Sequence, residues 1–252
     1  MKVLALYSLK GGVGKTTAAV NLAYLAAQSG ARTLLWDLDP QGASSYYLRV
    51  ADKVKGGRKI LHQTDLLEAA IRGTDWPLLD LLPADLSYRN LEIELNAERK
   101  RNDPLAESIR HLRHDYDYLV LDCPPGISRL SESIFACADL VLVPTIPTVL
   151  AMRTLKRVID FRKKHGLTKS RLRAFFSMAD QRKRMHKELM ARIDQMQPLM
   201  FDVRVPQLSE VELMGEYRAP LHTYRPGGRA AVAFDALWDK IVALFYPQGG
   251  EE

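Results

Sequence analysis

A doubly wound α/β fold, a mostly parallel sheet with helices on both faces, is predicted by three observations. Apolar runs recur along the chain and are continuous rather than alternating in polarity, as strands buried on both faces are. Helical stretches separate these runs, and alternation of this kind sets consecutive strands parallel through right-handed crossovers. The first run leads straight into a glycine loop that opens a helix, KGGVGKTT at residues 10–17, which is the strand–loop–helix order of a phosphate-binding site. A chain of 252 residues, 47% hydrophobic and 26% charged, suits one such domain over residues 1–252, and no linker, repeat or low-complexity tract divides it.

In chain order the strand-like runs are KVLALYS (2–8), RTLLWD (32–37), PLLDLLP (77–83), DYLVLD (117–122), LVLVPT (140–145), RLRAFFSM (171–178) and MFDVRVP (200–206). The first run has neither a basic lead nor a small-residue cleavage site, so it is a strand and not a signal peptide. No run approaches the roughly 18 apolar residues of a membrane span, and a cytoplasmic protein is expected. The stretch from about 48 to 62, with its glycine pair and several basic residues, has no clear period and predicts a loop. Two later stripes have helical spacing: Met185, Leu189, Ile193 and Met196, then Phe234, Leu237, Trp238, Ile241 and Phe245. Both predict core-facing sides, the first leaving Lys183, Arg184 and Lys187 outward. Cys123 and Cys137 lack metal-ligand spacing and predict buried thiols.

The formal charge is +6, from 36 Lys and Arg against 30 acids. The excess concentrates in RTLKRVIDFRKK (153–164) and KSRLRAFFSMADQRKRMHK (169–187). Such segments suit either a polyanion partner or solvated helix faces.

Counting back from Lys15, the usual first glycine of G-x-x-x-x-G-K-[ST] is replaced by Leu9. The mechanics survive: Gly11, Gly12 and Gly14 let the N–H groups of the loop, Val13 included, turn inward around phosphate oxygens, and the helix begun by Lys15, Thr16 and Thr17 presents its positive end. Lys15 is placed for the β and γ phosphates, and the Thr16 hydroxyl for Mg²⁺. Lys10 then stands out. Near the phosphates of its own chain it would duplicate charge already supplied, whereas pointing away it could reach a nucleotide on a facing subunit.

This spacing resembles the deviant phosphate loop of the ParA and MinD superfamily, whose members form nucleotide-sandwich dimers with the signature lysine crossing between subunits. The resemblance makes Lys10 the trans lysine and implies ATP and Mg²⁺ as ligands of a slow, partner-stimulated ATPase. LLWDLDPQGASS (34–45) resembles the family's second acidic motif, with Asp39 orienting the attacking water and near the metal, and Asp37 supporting it. DYLVLDCPPG (117–126) resembles the Walker B and switch II region, with Asp122 reaching Mg²⁺ through water. LVLVPTIPT resembles the strand leading to a partner-facing helix. FFSMADQR resembles the T-M-x-D-x-R segment near adenine, which implies Met178 and Asp180 beside the base, and VPQLSEVELMGEYRAPL places Pro206 there too.

Within that superfamily the chain resembles the ParA branch. Its C-terminal DALWDKIVALFYPQGGEE suits packing and ends in acid, unlike a membrane-targeting basic helix, so no stable membrane association is expected. It also lacks the cysteine patterns of the iron–sulfur relatives. The branch implies an ATP-dependent homodimer that coats nucleoid DNA without sequence preference and is released by a cargo adaptor protein, the cargo being a plasmid, chromosome origin, carboxysome or other complex. Arg182, Lys183, Arg184, Lys187, Arg204, Arg218, Arg225 and Arg229 are the candidate DNA contacts. Gln207 and Glu210 stand where relatives often carry basic residues. No helix-turn-helix precedes the glycine loop, so promoter autoregulation is not expected. The alternative within the superfamily is a MinD-like switch acting on a protein partner or membrane without DNA.

Overall fold

The computed structural model describes residues 1–51, 57–85, 88 and 103–247. β1 (Lys2–Leu6) precedes the glycine loop and α1 (Lys15–Gln28), followed by β2 (Thr33–Asp37) and the short α2 (Ala43–Tyr47). A 3₁₀ turn (Gly57–Leu61) and α3 (Thr64–Ala70) lead to β3 (Arg72–Gly73) and β4 (Leu79–Leu82). After α4 (Pro104–His111) come β5 (Tyr118–Asp122), α5 (Arg129–Cys137), β6 (Leu140–Thr145), α6 (Val149–Lys164) and β7 (Arg171–Ala179). α7 (Arg184–Met190) leads to β8 (Met200–Pro206), and three single turns, α8 (Ser209–Glu212), α9 (Met214–Tyr217) and α10 (Leu221–Tyr224), precede α11 (Arg229–Phe245).

The strands form one sheet in the order β3-β4-β2-β5-β1-β6-β7-β8, parallel throughout except for the β3–β4 pair. All seven strand-like runs are therefore strands, and the doubly wound expectation holds. The alternation that the sequence hides appears in the packing. Val3, Ala5 and Tyr7 enter the core under α3 to α6, while Leu4 and Leu6 enter the core under α1 and α11. A strand with apolar partners on both sides has no polar face to display, hence the continuous runs. Each large aliphatic side chain so buried contributes about 1.5–3 kcal/mol.

Two expectations need correction. Part of the stretch from 48 to 62 is the 3₁₀ turn Gly57–Leu61, with Ile60 and Leu61 in the core; residues 52–56 lie outside those described, as does the acidic C-terminal tip. In α7 the inward residues are His186 and Met190, followed by Ile193, whereas Met185 is 48% exposed. Ile193 and Met196 lie inward as expected, but in α7 the inward places come one position after Met185 and Leu189 because His186 takes one of them, its Nδ1 accepting the Asp180 N–H at 3.1 Å. Lys183, Arg184 and Lys187 still face outward. The second stripe is as expected, with Phe234, Leu237, Trp238, Ile241 and Phe245 all buried.

Candidate phosphate and nucleotide site

The sheet register sets the site. Asp122 pairs with Leu6 on one side and Asp37 on the other, so two carboxylates end neighbouring strands beside the glycine loop that follows β1. In an open α/β sheet this carboxyl edge is where ligands bind. A cleft of about 570 Å³ opens there, lined by the glycine loop, Lys15 to Thr17, Asp39 to Gln41, Tyr47, the Pro124–Pro125 turn and Met178.

The loop is shaped by glycine conformations. Gly12 and Gly14 have φ of 69° and 87°, which L side chains rarely adopt. A Cβ on Gly14 would also meet Ser177 Oγ at 2.8 Å. Gly14 is the N-cap of α1 and gives that helix no side-chain cap, so the N–H groups of its first turn remain free for an anion. Alanines 18, 19, 23, 26 and 27 let α1 lie close on the sheet. Lys15 is buried, its ammonium donating to the Lys10 carbonyl at 3.3 Å. Lys10 itself is exposed and does not line the cleft; its N–H donates to Ser8 Oγ at 3.2 Å.

α2 holds both buried carboxylates. Ser44 Oγ donates to Asp122 Oδ2 at 2.8 Å, and the Ser45 N–H and hydroxyl each donate to Asp37 Oδ2 at 3.0 Å. Asp37 Oδ1 accepts the Asp39 N–H at 3.3 Å, which fixes the loop carrying the half-buried Asp39. Burial pushes the Asp37 carboxyl up from its ordinary range, and the Asp122 charge adds to that; Ser45 and the Asp39 amide oppose it. Burial likewise raises Asp122, against the Thr16 and Ser44 hydroxyls and the Lys15 ammonium. The sequence gives little hint of these serines beyond their place just after the acidic motif.

Asp122 Oδ1 is buried without a hydrogen-bond partner. An orphaned carboxylate oxygen beside the Thr16 hydroxyl is a hard-oxygen donor set that fits Mg²⁺. No group of three or more His, Cys, Asp or Glu among the described residues is arranged to hold a metal. Asp39 lies across the same cleft.

The turn after β5 is anchored to the end of β1 and the start of the glycine loop. Tyr7 Oη donates to the Gly126 carbonyl at 2.8 Å, Ser131 Oγ to the same carbonyl at 3.1 Å, and the Gly126 N–H to the Ser8 carbonyl at 3.3 Å. Cys123 is fully buried and Cys137 partly so, and burial pushes both thiols up, that of Cys137 to about 12.

At the far end of the cleft Met178 and Pro206 line an apolar recess of about 60 Å³ together with Phe175, Val205, Leu208 and Val211. Asp180 does not line it. Its carboxylate accepts Arg182 Nε and Nη2, both at 3.0 Å, and this pairing holds it down to about 2. The segment closing this end is pinned to α1, since Asn21 Oδ1 accepts the Leu221 N–H at 2.8 Å.

The eight candidate DNA cations do not form one free array. Arg182 and Lys183 share Asp180, Arg184 pairs with Glu188, Arg204 with Asp202 and Arg225 with Glu210. Arg218 lies over the Tyr46 ring and donates to its carbonyl. Lys187 and Arg229 are exposed. No helix among the described residues is long and apolar enough to cross a membrane.

Residues 1–173 match the model of the AAA domain family AAA_31. The chain is 31% identical over 261 aligned residues to the uncharacterized protein Rv1708 of Mycobacterium tuberculosis, covering 97% of this chain and 79% of that one. It is 36% identical over 170 residues to the chromosome partitioning protein ParA of Caulobacter vibrioides, covering 63% of each. Among solved structures, cobyrinic acid a,c-diamide synthase of Mycobacterium smegmatis with a bound ATP analogue and magnesium superposes with a TM-score of 0.82 at 24% identity, covering 97% of this chain and 95% of that one.

Proposed function

The chain belongs to the AAA_31 family and to the ParA/MinD superfamily of P-loop ATPases, and on that premise we propose that it is a Mg²⁺-dependent ATPase that dimerises face to face across ATP, binds DNA without sequence preference and positions a cargo through an adaptor protein. One observation carries the reading: of the two loop lysines, Lys15 is buried in the cleft and Lys10 stands outside it. Phosphate charge within one chain is met by Lys15, the loop amides and the start of α1. Lys10 is left to act on a second chain's nucleotide, as an arginine finger does in trans.

Thr16 and Asp122 would hold Mg²⁺, which draws charge from the phosphate oxygens. Asp39, tied through its amide to Asp37, accepts a proton from or orients the attacking water. Met178 and Pro206 flank the base. The DNA surface comprises the exposed cations from Arg182 to Lys187 with Arg204, Arg225 and Arg229; dimerisation doubles it, so ATP controls affinity.

A second reading, a switch that acts on a protein partner without DNA, is favoured by the ion pairs that occupy five of the eight cations. Gel shifts with random duplex DNA separate the two. The positioning model expects ATP-dependent retention that weakens steeply as salt rises; ATP turnover and ATP-dependent dimers without any retention establish the second reading. Membrane attachment through α11 is disfavoured because its apolar stripe is already buried in the core.

A further inference from the structure

Two arginines far apart in sequence tie the end of α2 to the end of α9. Arg49, just past α2, donates from Nε to the Arg218 carbonyl and from Nη2 to the Tyr217 carbonyl, both at 2.9 Å. Arg218, just past α9, donates from Nε to the Tyr46 carbonyl at 3.0 Å, and its guanidinium lies 4.6 Å from the Tyr46 ring centre. Each arginine thus donates to carbonyls at the end of the other's helix; the Tyr46 carbonyl also accepts the Arg49 N–H at 3.2 Å. Both adopt positive φ, 60° for Arg49 and 49° for Arg218. A left-handed conformation in a residue other than glycine, asparagine or aspartate persists only where its surroundings hold it. Here the Arg49 guanidinium is held by the Tyr217 and Arg218 carbonyls and by Asp75, whose Oδ2 accepts from its Nη1 at 3.1 Å, and the Arg218 guanidinium by Tyr46.

What the clasp joins gives it a role. α2 carries Ser44 on Asp122 and Ser45 on Asp37, so its position sets both buried carboxylates. The segment from Ser209 to Tyr224 continues from the wall of the base recess, through Leu208 and Val211, and is tied to α1 by Asn21. We propose that Arg49 and Arg218 are positioning residues for nucleotide hydrolysis: by locking α2 to the base-side segment, they keep the carboxylate end of the cleft in register with the bound base. The inference rests on the ATPase reading. It also assigns Arg218 to the inside of the molecule's machinery rather than to a DNA surface.

The test is a double-mutant cycle of Arg49→Ala and Arg218→Ala, with single-turnover ATP hydrolysis and fluorescent-ATP binding measured on each. Each single variant is expected to lose roughly 10-fold in hydrolysis rate while nucleotide Kd changes by less than about 3-fold. The double variant is expected to resemble the worse single one, because the two residues act as a unit. In nucleotide-free protein, amide exchange over residues 44–50 should quicken in the variants, with the rest of the sheet unchanged. Arg32→Ala, just before the amino-terminal end of β2, should leave all of this at wild-type values. If the alanine variants unfold, Arg218→Lys decides, since it keeps a cation near Tyr46 without the guanidinium's Nε–H: a roughly 3-fold loss of rate at unchanged Kd upholds the proposal. Wild-type rates in folded variants, or additive losses, overturn it while the ATPase reading stands. A wild-type protein that turns over no ATP, alone or with DNA, overturns both.

Discussion

The glycine-loop end of the cleft is made of backbone, whereas the apolar recess at its other end is made of side chains. At the first, Gly12 and Gly14 sit where other residues are strained, α1 offers uncapped N–H groups, and two carboxylates are fixed by strand register. At the second, Phe175, Val205, Leu208 and Val211 form a recess that many apolar residues would shape equally well. A site defined by main-chain geometry restricts residue identity position by position; a site defined by apolar volume restricts only the sum. Substitutions at the two ends should therefore fail differently.

The largest effect is expected from Lys15→Ala. Removing a buried ammonium from the phosphate cradle should weaken ATP binding by about 100-fold or more in titration calorimetry, with little change in Tm. Next is Asp39→Ala, predicted to keep ATP affinity, lower hydrolysis about 10²–10⁴-fold and accumulate an ATP-bound dimer in size-exclusion chromatography. Monomers in that experiment would remove Asp39 from the water-activating role. Lys10→Ala separates loop from partner: ATP affinity should stay within a few-fold while dimers disappear and hydrolysis drops to the level of the isolated chain.

Gly14→Ala sharpens the backbone claim, because both the 87° φ and the 2.8 Å approach to Ser177 Oγ oppose it. A cost of about 1–3 kcal/mol is expected, visible as a lower Tm together with weaker ATP binding. Pairing it with Ser177→Ala should recover only the steric part. The smallest effect belongs to the base end, where Val211→Ala should weaken ATP by about 1 kcal/mol, or five-fold, and leave the hydrolysis rate of bound nucleotide unchanged.

The same contrast explains what the sequence discloses. The glycine loop, Asp37 and Asp122 are legible because each residue type follows from a backbone requirement or from a strand end; Asp39, two residues past β2, is read only from the resemblance of its motif. β3 is not: two exposed residues, Arg72 and Gly73, carry no hydropathy pattern, and they pair only because β4 presents an edge. In α7 the inward residues come one position after Met185 and Leu189 because a seven-residue helix constrains its period weakly, and hydropathy does not mark His186 as a core residue. Ser44 and Ser45 are buried for their hydrogen bonds to carboxylates, a pairing 78 residues apart in the case of Asp122. Arg49 and Arg218 read as surface charge until the carbonyls they serve are seen.

The main chain of Lys10 is held from both sides. Its N–H is taken by Ser8 and its carbonyl by Lys15, so neither peptide group need rearrange when another molecule approaches. Only the four side-chain torsions remain to be frozen, an entropic cost of about 2 kcal/mol at most. The Lys10 ammonium is thus carried on a main chain held at both of its polar groups, and what it reaches is set by one flexible arm rather than by the folding of a loop.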